Sequence, residues 1–167
     1  MKILGVDPGL RITGYGVIDL DLSGRAGDQS RIRLIEAGVI RTATGTSISQ
    51  RLEKIFCSLS AVIEELKPEV LAMEKLYAHY AHPATAILMG HARGVVCLLS
   101  GIYDISLVSI ASTHVKKAVT GRGHAGKLQV QRMIQHELGL KSLPEPPDVA
   151  DALAIALAYV SSLKRKS

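Results

Sequence analysis

The sequence predicts an α/β fold in which one mixed β-sheet has helices packed on both faces. Three apolar segments with strand character come first, close enough along the chain to form an antiparallel meander. Segments with helix and strand character then alternate, which favours parallel pairing through helical crossovers. A sheet that receives such crossovers buries both of its faces. The predicted order is therefore β-β-β-α-β-α-β, followed by further helices.

The first three strands are predicted at 2–7, 13–20 and 32–42. Pro8 and Gly9 form a turn that ends the first of them. The polar segment 21–30 has no apolar period, so we interpret it as a hairpin loop without catalytic groups.

The remaining elements follow from apolar periodicity and from the positions of prolines. Apolar residues at helical spacing end shortly before Pro68, so this proline follows the end of one helix. Proline suits the first turn of a helix, so Pro83 marks the start of another. Two short apolar runs predict the fourth and fifth strands, and a proline-rich segment leads into the last helix. These predictions place helices at 47–66, 83–100, 115–119, 127–138 and 148–163 and strands at 70–73 and 103–110.

The composition predicts a folded, basic protein. The chain has 167 residues, of which 47% are hydrophobic, enough for one sizeable core. We therefore expect a single domain over 1–167 with a short basic tail at 164–167. Lys and Arg number 20 against 15 Asp and Glu, and the resulting net charge of +5 favours a polyanionic partner.

Cysteine usage and hydropathy bear on the cellular compartment. Cys57 and Cys97 lie in apolar helical patterns, so we expect buried free thiols rather than a disulfide. No apolar signal stretch precedes Asp7, and the apolar run 152–160 is far shorter than the roughly 20 residues of a membrane span. We therefore expect a soluble cytoplasmic protein without membrane contact.

Four carboxylates stand at the ends of predicted elements. Asp7 and Glu74 each follow an apolar strand, and Asp148 and Asp151 open the last helix on one shared face. A protein interior cannot hold this much negative charge unless it is paired or bound to a metal. Carboxylate oxygens suit Mg²⁺, and two such ions can support phosphodiester hydrolysis. On a basic chain, this set favours a metal-dependent nuclease.

Each carboxylate also has an ordinary structural explanation. Asp-Pro-Gly is a common turn, which alone accounts for Asp7 somewhat better than catalysis does. Asp148 is a good helix cap, Asp151 suits the first turn of a helix, and Glu74 by itself indicates little. Only the set, and the position of Asp151 directly before the apolar run 152–158, favours a catalytic role.

In their order along the chain, several segments resemble the bacterial Holliday-junction resolvases of the RuvC family, within the RNase H-like superfamily. Any one of these segments is a weak signal, whereas the ordered series is specific and covers nearly the whole chain. The resemblance is carried by Ile-Leu-Gly-Val-Asp-Pro-Gly-Leu-Arg-Ile-Thr-Gly-Tyr-Gly-Val at 3–17, Met-Glu-Lys at 73–75, Gly-His-Ala-Arg-Gly at 90–94, and the segments 115–121, 127–131 and 148–156.

The resemblance implies an RNase H-like fold with a five-stranded mixed sheet, and a homodimer. It implies nicking of two like-polarity strands of a four-way DNA junction, in recombination and repair, with Mg²⁺ or Mn²⁺ and two ions per site. Asp7, Glu74, Asp148 and Asp151 match the family's catalytic, metal-binding acids, although some members have histidine at the position of Asp148. The family also acts with the RuvAB branch-migration complex.

Four further residues are candidates for DNA contact. Tyr77 matches a family aromatic that helps to open the junction by stacking on a base, although packing within a loop explains it about equally well. Lys116 and Lys127 match basic positions near the scissile DNA, and Arg122 lies between them in a glycine-rich segment. Together these cations could clamp phosphates, whereas each alone is an ordinary solvated side chain.

Other functions fit parts of the sequence. A nuclease of the same fold that matures ribosomal RNA would share the early and late aspartates. A nucleotide-binding ATPase of the actin and sugar-kinase type also places Asp and Gly after a strand, but it needs two such domains. A non-catalytic junction-binding module would keep the fold, and the four intact carboxylates favour an enzyme over it.

Overall fold

A computed structural model describes residues 1–22, 32–75 and 83–164, with the side chains of residues 83, 84 and 164 left aside. Strands and helices alternate along this part of the chain much as the sequence predicts. The strands are β1 (Lys2–Asp7), β2 (Ile12–Leu20), β3 (Ile32–Arg41), β4 (Val70–Glu74) and β5 (Ser106–Ile110). The helices are α1 (Ile48–Leu66), α2 (Pro83–Ile102), α3 (Ser112–Thr120), α4 (Lys127–Glu137) and α5 (Pro147–Lys164).

The strands form one mixed sheet in the order β3-β2-β1-β4-β5. The first three strands pair antiparallel, whereas β4 pairs parallel with both β1 and β5. The predicted five-stranded mixed sheet is therefore confirmed. Because β1 and β4 are parallel neighbours, their carboxyl ends, Asp7 and Glu74, meet at the same edge of the sheet.

Two apolar cores cover the two faces of the sheet, because successive residues of β1 and β4 point to opposite faces. One core contains residues of α1 and α2, and the other is built around α5 with α3 and α4. Fully buried members of the first include Leu4, Val6, Leu59, Leu71 and Leu99, and those of the second include Ile3, Ile18, Ala72, Leu153 and Ile155.

Glycines in β1 and β2 allow α5 to lie directly on the backbone of the sheet. A Cβ atom at Gly14 would stand 2.0 Å from the carbonyl oxygen of Asp148, and one at Gly5 would stand 2.2 Å from that of Ala152. No side chain larger than hydrogen fits at either distance. This close approach brings the first turns of α5 to the edge where β1 ends.

Three local predictions are wrong in their detail. The third helix begins at Ser112 rather than at 115. The fifth strand begins at Ser106 rather than at 103, because α2 runs on to Ile102 and residues 103–105 form a turn that bonds back onto its last carbonyls. Cys57 and Cys97 are free but exposed, not buried. Apolar neighbours placed both cysteines in helices but did not determine which face of the helix they occupy.

Among the described residues, one helical segment, Thr85–Ile102 of α2, is long and apolar enough to cross a membrane by length and composition, and 17% of it is buried in the fold. This segment was not recognised from the sequence. Most of the predicted loop 21–30, the aromatic Tyr77 and the end of the basic tail lie outside the described residues.

Candidate active site

Three of the four carboxylates line one cavity at the carboxyl edge of the sheet. Asp7 comes from the end of β1, Glu74 from the end of β4 and Asp151 from the second turn of α5. The cavity has a volume of about 190 Å³, and Ser112, Lys116 and Lys127 complete its polar lining. Strand ends and a helix seated on the sheet are rigid supports, so these groups are held in place.

Asp148 belongs to the same electrostatic cluster without lining this cavity. It lies in the first turn of α5, about one helical turn before Asp151. Its charge raises the pKa of both Asp7 and Asp151. The structure therefore places Asp148 at the edge of the cluster, on the side of α5.

Asp7 carries the largest resolved perturbation in this cluster. Burial first, and then the carboxylates of Asp151, Glu74 and Asp148, together raise its pKa from an ordinary value of 3.8 to about 7, against the opposing charge of Lys127. Without a cation, this cavity therefore favours the protonated form of Asp7 far more than water does. Such a group is poised to gain from any positive charge that enters the cavity.

The pKa of Asp151 is also raised, first by burial and then by the charges of Asp148 and Glu74. Lys127 and Lys116 act in the opposite direction. The two lysines thus neutralise only part of the charge that the carboxylates concentrate at this edge.

The donor set fits a hard divalent cation, since it consists of carboxylate oxygens. In the part of the chain that the structure describes, no three His, Cys, Asp or Glu side chains converge closely enough to hold a metal ion by themselves. The acids instead surround an open cavity. Such an arrangement suits a cation that keeps waters and takes further oxygen ligands from a phosphate.

The basic candidates differ in their relation to this cavity. Lys116 of α3 is half-buried and Lys127, the first residue of α4, is exposed, and both line it. Arg122 is exposed in the turn between α3 and α4, where its backbone N–H donates to Thr120 Oγ1 at 3.2 Å. The structure thus brings two of the three predicted cations to the carboxylates, whereas Arg122 is not among the residues that line the cavity.

Sequence reasoning missed Arg93 of α2. Its guanidinium donates a hydrogen bond to the backbone carbonyl of Glu74. The segment that contains Arg93 was used only as one carrier of the family resemblance, which does not indicate a contact between a helix and the end of a strand.

Comparison with known proteins places this site in a known context. A family model described as crossover junction endodeoxyribonuclease RuvC matches residues 3–159, a span that includes all four carboxylates. The enzyme of that name from Rhodopirellula baltica is 46% identical over 155 residues, which cover 93% of this chain and 83% of the relative.

Among solved structures, the chain is likewise similar to RuvC proteins. The Thermus thermophilus RuvC structure has a TM-score of 0.87 at 30% sequence identity, with 99% of this chain and 97% of that chain covered. The structure of that protein in complex with Holliday junction substrate has a TM-score of 0.88 at 30% identity and covers 99% and 96% of the two chains. The likeness therefore extends over the whole fold.

Proposed function

Because this chain belongs to the RuvC family of crossover junction endodeoxyribonucleases, we propose that it resolves Holliday junctions by hydrolysis at the cavity between β1, β4 and α5. Its place is in homologous recombination and DNA repair, where it makes paired nicks in strands of like polarity. The observation that carries this proposal is the convergence of Asp7, Glu74 and Asp151 with two lysines in one cavity.

RuvC nucleases are metal-dependent. For this chain we propose two Mg²⁺ ions per site, with Mn²⁺ able to replace them. When bound, such ions polarise the phosphate and lower the pKa of a coordinated water. Asp7 would contact both ions, Glu74 would complete one site, and Asp151 with Asp148 would complete the other. The central position of Asp7, whose pKa responds to all three other acids, supports this division.

The chain's own groups prepare this cavity for a phosphodiester. The burial that raises the pKa of Asp7 and Asp151 also removes part of the water around these two groups, which strengthens their interactions with nearby charges. Lys116 and Lys127 would bind the phosphates on either side of the cut and so orient the scissile bond. Arg122 would contact backbone farther along the strand, and Tyr77 stays a prediction for base stacking.

A homodimer would supply the two sites that paired nicks require. Helix α2 exposes several large apolar side chains, and side chains of this size rarely lie together on a free surface. They are Ile87 (61% exposed), Leu88 (44%), Met89 (39%), Leu98 (55%) and Ile102 (55%). A two-fold dimer through this face would match the symmetry of a four-way junction, and it also explains why α2 has the apolarity of a membrane span.

Two further parts of the proposal rest on the family alone. We expect the protein to act in the cytoplasm, where the chromosome of a bacterium lies. We also expect it to cooperate with the RuvAB branch-migration complex.

The alternatives differ from this proposal in substrate or in chemistry. An RNA-maturing nuclease would prefer structured RNA, and a binding module would hold the junction without cutting it. The family model and the high TM-score to a RuvC solved with junction substrate favour a DNA junction over RNA.

The test is incubation with a synthetic four-way DNA junction, an equal-length linear duplex and a structured RNA, each with Mg²⁺ or with EDTA. We expect paired nicks in the junction alone, and only with Mg²⁺. Preferential cutting of the RNA would favour the alternative nuclease, and binding without nicks in several junction sequences would favour the binding module.

A further inference from the structure

The backbone pairing of β1 with β4 stops one residue before either strand ends. The register runs from Ile3 opposite Val70 to Val6 opposite Met73, whereas the strands continue to Asp7 and Glu74. The residue after Asp7 is Pro8, which has no backbone N–H. The pairing therefore ends where the next donor of β1 is missing.

The acceptor left without this donor is the carbonyl of Glu74. Lys75 donates its N–H to the carbonyl of Ile110 at 2.7 Å, so the backbone groups of Lys75 face β5. Successive residues of a strand direct their backbone groups to alternate neighbours, and those of Glu74 therefore face β1. If the parallel register continued by one residue, Glu74 would lie opposite Asp7, and its carbonyl would accept from the N–H of the next residue, which is Pro8.

Arg93 of α2 supplies the missing donor. Its guanidinium donates to the carbonyl of Glu74, and the side chain is half-buried. Ala92 and Val96 of the same helix are fully buried against the sheet, which fixes the helix relative to β4. A guanidinium is always charged, and a charged donor makes a stronger bond than a neutral amide.

We propose that Arg93 is a positioning residue for Glu74, in which a side chain replaces the N–H that Pro8 cannot give. Arg93 is not among the residues that line the cavity, so its effect on the chemistry passes through the backbone of Glu74. The inference rests on the proposed role of Glu74 as a metal ligand. It also ties the helix with the exposed apolar face to the active site.

The first test compares Arg93→Ala and Arg93→Lys by the Mg²⁺ concentration that gives half-maximal junction cleavage. Loss of a group that orients a metal ligand commonly lowers metal affinity or activity ten- to a hundredfold. We therefore expect about a tenfold higher Mg²⁺ requirement for Arg93→Ala and a smaller increase for Arg93→Lys. Junction binding in EDTA should stay unchanged for both, since Arg93 would act on the metal ligand and not on DNA.

Lys2→Ala is the matched control. Lys2 also donates from its side chain to a backbone carbonyl, that of Leu66 at 2.9 Å, but at the opposite end of β1. Its loss should lower stability towards urea without changing the Mg²⁺ requirement. An Arg93→Ala protein that shifts only its urea midpoint, as this control does, would reduce Arg93 to a stabilising contact and overturn the proposal.

A second variant tests the link to Pro8 directly. Pro8→Ala restores an N–H at that position, so it should recover part of the Mg²⁺ affinity in the Arg93→Ala background. Strictly additive losses in the double variant would contradict the replacement of one donor by the other.

Glu74→Gln separates the role of Glu74 in the site from the role of Arg93 towards Glu74. Normal cleavage by Glu74→Gln would remove Glu74 from the site, whereas an inactive Glu74→Gln beside an unaffected Arg93→Ala would refute only the role of Arg93.

Discussion

Asp7 is the residue on which burial and neighbouring charge act together most strongly. Its pKa of about 7 in the folded chain compares with 3.8 when exposed, so the folded state holds this proton more tightly than the unfolded state does. The protonated group therefore stabilises the fold below about pH 4, and this contribution is lost as the pH rises to about 7. A cation bound at the carboxylates would offset the loss.

The raised pKa of Asp7 in the folded state leads to a prediction about stability. In EDTA, the free energy of unfolding should fall between pH 4 and pH 7, by up to about 4 kcal/mol at 1.4 kcal/mol per pKa unit. The fall should be much smaller in Asp7→Asn, which has no proton to lose. Urea unfolding of both proteins at several pH values measures it. Equal pH dependence of the two proteins would show that Asp7 is not the titrating group.

Lys127 acts on the same equilibrium from the opposite side, since its charge lowers the pKa of both Asp7 and Asp151. In Lys127→Ala these carboxyl groups should ionise at higher pH. We expect about tenfold slower cutting at pH 7, with the pH–rate profile displaced upward, because a lost charge contact at a reacting phosphate typically costs this much or more.

The control for this variant is Lys141→Ala, a change of equal charge at an exposed lysine outside the cavity lining. Both variants lose one positive charge and so the same amount of general attraction to DNA. If Lys127→Ala lowers the cutting rate equally at every pH, as the control does, then Lys127 attracts DNA but does not set the pKa of Asp7 and Asp151.

At the scale of elements, the contact between α5 and the sheet sets the geometry of the site. Gly14 lies directly beneath the carbonyl of Asp148, at a distance that admits no side chain. We expect Gly14→Ala to lift the first turn of α5, to lower stability by about 1–3 kcal/mol and to slow cutting by at least about tenfold. Junction binding should persist.

Urea unfolding and single-turnover cleavage measure these two effects. Gly45→Ala serves as the control, since a Cβ there meets no atom within 4 Å. If Gly14→Ala were destabilised but cut at the normal rate when folded, the position of α5 would not limit the chemistry.

The elements themselves were largely predictable because each has a local signal. Alternating or continuous apolar runs marked the strands, and the Ala-rich segment after Asp151 marked a buried helix. The burial of the cysteines was predicted wrongly, because the side of a helix that faces the core depends on its packing partner. The hydrogen bond from Arg93 to the Glu74 carbonyl was not foreseen, because it depends on the register between two strands that are distant in sequence.

The candidate site was predictable to a similar degree. Asp7, Glu74 and Asp151 come together as the chain order implies, since parallel strands end at one edge and α5 packs over it. The separation of Asp148 from the cavity lining depends on how α5 is rotated, which the spacing of two aspartates cannot give. The catalytic roles of all four acids stay predictions that only activity measurements test.

At the scale of the whole molecule, the apolar face of α2 predicts self-association. Light scattering at micromolar concentration should give twice the mass of one chain. Leu98→Glu should give a monomer, because it places a charge in the centre of the proposed interface. Such a monomer should nick junctions singly rather than in pairs.

Leu22→Glu is the matched control, because Leu22 is 68% exposed and lies outside α2. It should leave the dimer and the paired nicks intact. A parent chain that is monomeric at micromolar concentration, or a Leu98→Glu protein that remains dimeric, would assign the face of α2 to another role.

The central claim is that the carboxylate cluster around Asp7 performs metal-dependent cleavage of a junction that other surfaces bind. The most direct measurement compares Asp7→Asn with the parent chain on one four-way DNA junction, scoring binding in EDTA and nicking in Mg²⁺. The account predicts unchanged binding and a rate of nicking at least about a thousandfold lower. Nicking by Asp7→Asn at the parental rate would contradict it.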